Sequence, residues 1–243
     1  GMHNLWFSSD SGAQWQRANG EAPGVITFTH ATPPVVVGVY QGTMRVLELP
    51  QPAGQRCFVE TGFCISGRIR EYWQQNGGLP VFGYPIGPQM PLAVEGRTVT
   101  GQWFERNRLE LHPENSKPYD VLLGRLGADA LETRKIDWRS YPQADPKSAH
   151  YFAATGQAIA PEFWKYWSSH GLEFDGRRGT SFNESLALFG MPLSPPIMET
   201  SRTDGGTYLT QYFERARFEY HPENAGTPYV VLLGLLGSEQ HGS

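Results

Sequence analysis

The stretch QWFERNRLELHPEN, residues 102–115, returns as QYFERARFEYHPEN at residues 211–224. Around both copies the same motifs follow in the same order: a TG pair, a YW pair, an FG-x-P element and, at the end, PYxVLLGxLG. Several shared motifs in a fixed order indicate an internal repeat. We therefore predict two similar modules at residues 51–128 and 151–237, with a linker at 129–150 and a tail at 238–243.

Each module is predicted to begin with a helix. In the first copy Ser66 suits the N-cap position, and the pair Asn76-Gly77 supplies a left-handed stop. In the second copy Pro161 suits the first helical position. The extra segment DGRRGTSFNES at 175–185 predicts a surface loop. Near the end, Thr227 followed by proline predicts a short helix that ends at Gly237.

The repeated stretch itself predicts a strand over residues 98–113, because side chains of different character alternate along it. Gln102, Arg106 and Glu110 share one face of this strand, and Trp103 and Leu109 share the other. The leucines are expected to face a core, which leaves a stripe of alternating charge. The fold class predicted for the chain is α+β, with a small antiparallel β unit followed by two similar helix-plus-β modules.

Residues 1–50 are predicted to form that small antiparallel β unit. The segment LWFSSDSGAQW contains Ser8, Asp10, Gly12 and Trp15, a pattern that resembles the Asp-box of sialidase-like β-propellers. The resemblance implies a structural β-hairpin in which the serine and aspartate hold the loop and the tryptophan packs between strands. The segments VITFTH and VVVGVYQGTMRVLELP predict further strands. A propeller needs several blades, so this fragment of one blade does not imply sialidase activity.

Composition argues against two classes of partner. The longest apolar runs fall well short of the roughly 20 residues that cross a bilayer, so no membrane span is expected. The formal charge is −4 and basic residues are interspersed with acidic ones, so no nucleic-acid partner is expected. The first residues lack the charged and apolar regions of a signal peptide.

Cys57 and Cys64 are the only cysteines, and Tyr151 and Ala158 replace them in the second copy. Loss of both together is expected of a bonded pair, so a disulfide is favoured over two buried free thiols. Such a bond would point to an oxidising compartment.

The repeated motifs themselves resemble a known kind of module. The pattern GG-x-x-x-FG-x-P followed by a Gly-led strand is similar to the LGFP-type repeats of bacterial envelope proteins. The longer pattern YW…FGxP…FERxRxExHPEN resembles tandem repeats of secreted bacterial proteins, over residues 57–127 and 151–237. The resemblance implies an extracellular or cell-surface accessory module that associates with the cell wall.

The preferred hypothesis is a non-catalytic module that binds cell-wall or surface glycan. Flat aromatic rings, with arginine, glutamate and glutamine as hydrogen-bonding groups, are typical of a saccharide-binding face. The candidate ligand-binding residues are Trp103, Tyr212, Gln102, Gln211, Arg106, Arg215, Glu110 and Glu219. The alternative for the charged residues is that arginine and glutamate neighbours on one strand face neutralise each other.

Two other functions stay open from the sequence. A glycan hydrolase would use a carboxylate pair of the FERxRxE stretch. A structural spacer would form homo-oligomers through exposed β edges. No metal site or cofactor is predicted, because His112 and His221 precede proline without any H-x-H, HExxH or CxxC pattern. No nucleophile elbow or phosphate-binding loop is present in the sequence.

Overall fold

The computed structural model describes residues 54–202 and 204–241, together with the backbone of five short strands in the preceding segment. These strands are β1 (Trp6–Phe7), β2 (Gln16–Arg17), β3 (Val25–Phe28), β4 (Val35–Tyr40) and β5 (Thr43–Glu48). Strand β1 pairs with β2, and β3, β4 and β5 form an antiparallel sheet in that order, as predicted for this segment. The Asp-box residues Ser8, Asp10, Gly12 and Trp15 lie outside the described residues.

The first module consists of a disulfide-linked ribbon, two helices, a four-stranded antiparallel sheet and a closing helix. Its elements are β6 (Gln55–Cys57), β7 (Cys64–Ser66), α1 (Gly67–Gln75), α2 (Leu79–Phe82), β8 (Met90–Val94), β9 (Arg97–Trp103), β10 (Arg108–Leu111), β11 (Val121–Leu123) and α3 (Leu126–Thr133). The sheet order is β11-β10-β9-β8. Cys57 and Cys64 stand opposite each other in the ribbon and form a disulfide.

The second module follows a 3₁₀ turn at Trp138–Ser140 and has the same succession of elements. These are β12 (Tyr151–Phe152), β13 (Gln157–Ala158), α4 (Pro161–Ser169), α5 (Phe182–Phe189), β14 (Ile197–Thr200), β15 (Thr207–Tyr212), β16 (Arg217–Tyr220), β17 (Val231–Leu233) and α6 (Leu236–Gln240). Its sheet runs β14-β15-β16-β17, so both sheets have the same strand order. The α+β class is confirmed.

Helices α1 and α4 pack their apolar faces against the two sheets. Helix α1 buries Ile69 and Trp73, and α4 buries Phe163 and Trp167. The indole nitrogens of both tryptophans donate 3.2 Å hydrogen bonds to the glycine carbonyl of the FG-x-P element in their own module. Buried side chains from both modules form one large apolar cluster, and a second, smaller cluster contains residues of α3 and α6. Within the described residues, no helix combines the length and the apolar character that crossing a membrane requires.

The repeated stretch is a hairpin, so the prediction of one continuous strand is wrong. The amide of Phe104 donates a 2.8 Å hydrogen bond to the carbonyl of Asn107, and the chain reverses between β9 and β10. Trp103 therefore stands opposite Arg108, on the same face of the sheet. The amide of Arg106 bonds the carbonyl of Phe82 at 3.1 Å, which ties the turn to the FG-x-P segment.

Three local predictions also need correction. The segment 175–185 is only partly a loop, because Ser181 and Glu184 form a capping box that starts α5. Thr227 caps a 3₁₀ turn at Pro228–Val230, but the chain then forms β17 rather than continuing as a helix. Ser66 occupies the N-cap position of α1, yet its side chain makes no capping hydrogen bond.

Helices α3 and α6 run from the ends of the two modules into the predicted linker and tail, and each docks on the hairpin of the other module. The amide of Gly127 at the start of α3 donates to the carbonyl of Glu214 at 3.1 Å. The amide of Ser238 in α6 donates to the carbonyl of Glu105, also at 3.1 Å. The two helices contact each other as well, through a 2.8 Å bond from Gln240 to the carbonyl of Leu126. The modules are therefore joined reciprocally.

Candidate functional site

The two glutamines predicted to bind ligand are structural. Gln102 and Gln211 are fully buried. The Nε2 atom of Gln102 donates 2.9 Å hydrogen bonds to the carbonyls of Cys64 and Gly87. Gln211 makes the corresponding bonds of 2.8 and 2.9 Å to Ala158 and Ser194. Both amides join the ribbon of a module to its sheet and are not accessible to a ligand.

The two aromatic rings do not form the expected open faces. Tyr212 is 1 % exposed, its hydroxyl donates to Glu199 at 2.8 Å, and it accepts from Arg134 at 2.7 Å. Burial raises the pKa of Tyr212 to about 12. The ring of Trp103 is only partly buried, but it lies between the Arg108 guanidinium at 5.0 Å and the His241 ring at 5.6 Å. The prediction of an exposed aromatic saccharide face is therefore wrong for Tyr212, which is buried. At Trp103 the ring is already in contact with Arg108 and His241.

The carboxylates of the FER turn hold backbone. Glu105 accepts a 3.0 Å bond from the amide of Tyr84, and Glu214 accepts a 3.0 Å bond from the amide of Met191. Each carboxylate thereby fastens the hairpin to the FG-x-P segment. The arginine that follows each of these glutamates in the turn, Arg106 or Arg215, is partly exposed.

A charged row runs along one face of the first sheet. Arg108 donates to Glu110 at 2.7 Å and lies 3.6 Å from Asp129 of α3. His112 lies 3.5 Å from Glu110 and 3.0 Å from Glu114. The predicted neutralisation of neighbouring arginine and glutamate is confirmed for Arg108 and Glu110.

The second sheet carries the same row in a more enclosed form. Arg217 donates to Glu219 at 2.6 Å and to Glu239 of α6 at 2.8 Å. Burial disfavours the charge of Arg217, but the hydrogen bonds and charge of Glu239 outweigh it and hold the pKa above its usual range. A Cβ at Gly234 would lie 2.6 Å from the Arg217 side chain, so glycine is needed for the arginine to cross the strand end.

The two charged rows differ in what covers them, because the residue four positions before the aromatic residue of the repeat is valine in one copy and tyrosine in the other. Tyr208 and Val99 stand at the same distance before Tyr212 and Trp103. The ring of Tyr208 covers His221 with centroids 3.8 Å apart, and the hydroxyl donates to Asp204 at 2.8 Å. Valine is too small to reach across in this way. The side chain of His112 is accordingly 14 % exposed, against 5 % for His221.

The space left open at Val99 is a cavity of about 520 Å³. It lies between the charged row, the β8–β9 turn and α3. A second cavity of about 500 Å³ adjoins it and runs along α3 to Trp138. The residues that line both cavities are Glu95, Arg125, Asp129 and Glu132. We refer to the two cavities together as the α3 groove.

Two charged side chains of the α3 groove, Asp129 and Arg215, have pKa values shifted by burial. Burial raises the pKa of Asp129, although the positive charge of Arg108 counteracts this. Arg215 reaches the groove from the second module, and burial lowers its pKa. Sequence patterns indicated Glu110 and Arg215 but not Arg125, Asp129 or Val99, because α3 crosses the predicted boundary between the first module and the linker and Val99 precedes the repeated stretch.

A group of three carboxylates lies elsewhere, at the start of the second module's extra segment. One oxygen from each of Glu173, Asp175 and Glu184 lies within 4.8 Å of the others. These side chains already accept hydrogen bonds from backbone amides, such as the 2.7 Å bond from Ser181 to Glu184 and that from Gly176 to Glu173. The group is therefore explained by loop and helix-cap geometry.

Both guanidinium donors and carboxylate acceptors line the α3 groove, and these groups are complementary to hydroxyl-rich or ionic molecules. Comparisons with protein-family models, curated proteins and solved structures found no match for this chain. The geometry of the groove is therefore the basis for a functional proposal.

Proposed function

We propose that this chain is a non-catalytic extracellular or cell-surface module that binds glycan in the α3 groove. The observation that carries the proposal is the difference between the two charged rows. The row covered by Tyr208 in the second copy is uncovered in the first, where Val99 leaves a cavity of about 520 Å³. Space for a ligand beside the charged row is therefore present in the first copy and filled by Tyr208 in the second.

The shape of the groove suits a polymer. Ligand pockets have volumes of roughly 300–1,000 Å³, and the two adjoining cavities of about 520 and 500 Å³ extend this space along α3. At its far end lies Trp138, a partly buried ring that lines the second cavity and whose centroid is 4.3 Å from the guanidinium carbon of Arg139. The edge of this ring, next to guanidinium and carboxylate groups, is a suitable surface for several successive sugar units.

An extracellular location is part of the proposal. The Cys57–Cys64 disulfide is compatible with an oxidising compartment, where such bonds persist. The resemblance of the repeats to those of secreted and envelope proteins supports the same location.

The test is retention of the chain on insoluble cell-wall preparations and polysaccharides. Val99→Tyr places in the first copy the side chain that covers the row in the second, and we expect it to abolish retention. Thr98→Tyr is the matched control, because residue 98 points to the opposite face of the same strand. Equal retention of wild type and Val99→Tyr, with folding verified by circular dichroism, would refute binding in the α3 groove.

A glycan hydrolase is the second candidate. Asp129 and Glu110 line one cavity, and the raised pKa of Asp129 suits a general acid. Arg108 contacts both carboxylates, at 3.6 and 2.7 Å, which favours ion pairing over catalysis. Release of reducing ends by wild type but not by Asp129→Asn would favour the hydrolase; binding without release supports the binding module.

A further inference from the structure

We propose that the ligand of the α3 groove is an acidic glycan whose carboxylate or phosphate group is held between Arg125 and Arg215. This inference rests on the proposed function and adds the chemical class of the ligand.

Arg125 has donor capacity that the chain does not use. Its side chain lines both cavities of the groove and is 42 % exposed. The Nε atom is buried and has no hydrogen-bond partner among the described residues. The nearest carboxylate contact joins Nη2 to Oε1 of Glu214 at 3.4 Å, which is long for a charged hydrogen bond.

Arg215 is similarly short of an acceptor. Its Nη1 atom lies 3.6 Å from Oε2 of Glu214, beyond hydrogen-bonding distance. That oxygen already accepts the amide of Met191 at 3.0 Å. Burial lowers the pKa of Arg215, the charge of Glu214 counteracts this, and the nearby charge of Arg125 adds to the lowering. One carboxylate thus faces two guanidinium groups, and an anion would supply the missing acceptors.

The repeat does not require this arginine pair. The residue that corresponds to Arg125 in the second PYxVLLGxLG segment is Leu235. The residue that corresponds to Arg215 is Arg106. The arginine pair therefore has no counterpart at the equivalent place, where Leu235 replaces the arginine that would accompany Arg106. Arg217, by contrast, is fully engaged by Glu219 and Glu239. The surplus of donors occurs on the side of the chain where the groove is open.

The experiment measures the affinity of the whole chain for three soluble polymers: polygalacturonate, a phosphomannan and a neutral glucan. We expect tighter binding of at least one acidic polymer than of the glucan. Arg125→Leu, which introduces the residue of the second copy, should weaken acidic-polymer binding by about tenfold or more and weaken glucan binding much less, because only the acidic polymer loses a charge partner. Arg215→Gln should act in the same direction.

Arg106→Gln is the matched control, and we expect it to bind like wild type. Preference for the carboxylated or for the phosphorylated polymer would support the inference and identify the source of the anion. Glucan binding as tight as acidic-polymer binding, or acidic-polymer binding unaffected in Arg125→Leu, would overturn the inference and leave glycan binding intact. Failure of all three polymers to bind would overturn both proposals.

Discussion

The amide nitrogen of Gly127 donates a 3.1 Å hydrogen bond to the carbonyl oxygen of Glu214, across the boundary between the two modules. A bond in the other direction runs from the amide of Ser238 to the carbonyl of Glu105. Each terminal helix therefore completes the hairpin of the other module. Because the modules also share one apolar cluster, we expect them to unfold together in a single transition.

Alanine at Gly127 or Gly237 should weaken this junction. A Cβ at Gly127 would overlap the carbonyl oxygen of Phe213, and one at Gly237 would overlap that of Phe104. Since a backbone carbonyl cannot move aside without disturbing its hairpin, each change should lower the free energy of unfolding by about 2–3 kcal/mol. Urea denaturation measures this loss. Thr133→Ala, at an exposed position of α3, should have little effect; equal effects of Thr133→Ala and Gly127→Ala would contradict the close contact.

Replacing Gln102 with leucine should reduce stability and leave ligand affinity unchanged. Its Nε2 atom satisfies the carbonyls of Cys64 and Gly87, and leucine would leave both without this donor. The expected loss in the free energy of unfolding is about 2 kcal/mol. Gln74→Leu, at an exposed position of α1, is the control. Reduced glycan affinity of folded Gln102→Leu would return this residue to the binding site.

The disulfide can be replaced by the pair that occupies its place in the second module. Tyr151 stands opposite Ala158 in the same register as Cys57 opposite Cys64. The double variant Cys57→Tyr/Cys64→Ala should therefore fold, but with a lower free energy of unfolding, by about 2.5 kcal/mol for so short a loop. Thermal unfolding of the variant and of wild type with and without reductant tests this. A reductant effect on the double variant would point to a cause other than this bond.

Asp120 should make stability depend on pH in the acid range. Arg68 donates two bonds to it, of 2.6 and 3.0 Å, and these hold the pKa of the Asp120 carboxyl below its usual range. A depressed folded-state pKa contributes stability above the unfolded pKa of about 4, and this stability is lost as the pH falls through the folded value. Asp120→Asn should be less stable than wild type at pH 7 by about 2 kcal/mol, with a difference that shrinks towards pH 3.

Glu71→Gln is the control for this pair, because Glu71 is more exposed and lies 3.6 Å from the same arginine. Its effect at neutral pH should be small. Urea midpoints measured from pH 3 to pH 7 provide the comparison. A difference between Asp120→Asn and wild type that stays constant over this range would contradict the linkage.

Sequence patterns predicted the helices α1 and α4 well, because Pro161 and the glycines after each helix act locally. Ser66 marks the start of α1 without making a capping hydrogen bond. They misplaced the repeated stretch because alternation continues through FERN, where the chain turns back. The turn depends on backbone bonds between Arg106 and Phe82, which lie far apart in sequence. With the turn in place, Trp103 moves to the face of Arg108 and Glu110, so the predicted binding face was assembled from residues on different sides of the sheet.

By itself, the sequence determined the α+β class and the equivalence of the two FERxRxExHPEN stretches, since these depend on composition and periodicity. It offered the pairing of neighbouring arginine and glutamate as an alternative to ligand binding, and the structure decided for the pairing of Arg108 with Glu110. The α3 groove was decided by the tertiary structure alone. It requires α3 to dock on the other module and Arg215 to reach across from the second module. It also requires that the residue beside His112 is Val99, where the second copy has a tyrosine. Such contacts join residues distant in sequence, and their geometry follows from packing that no local pattern encodes.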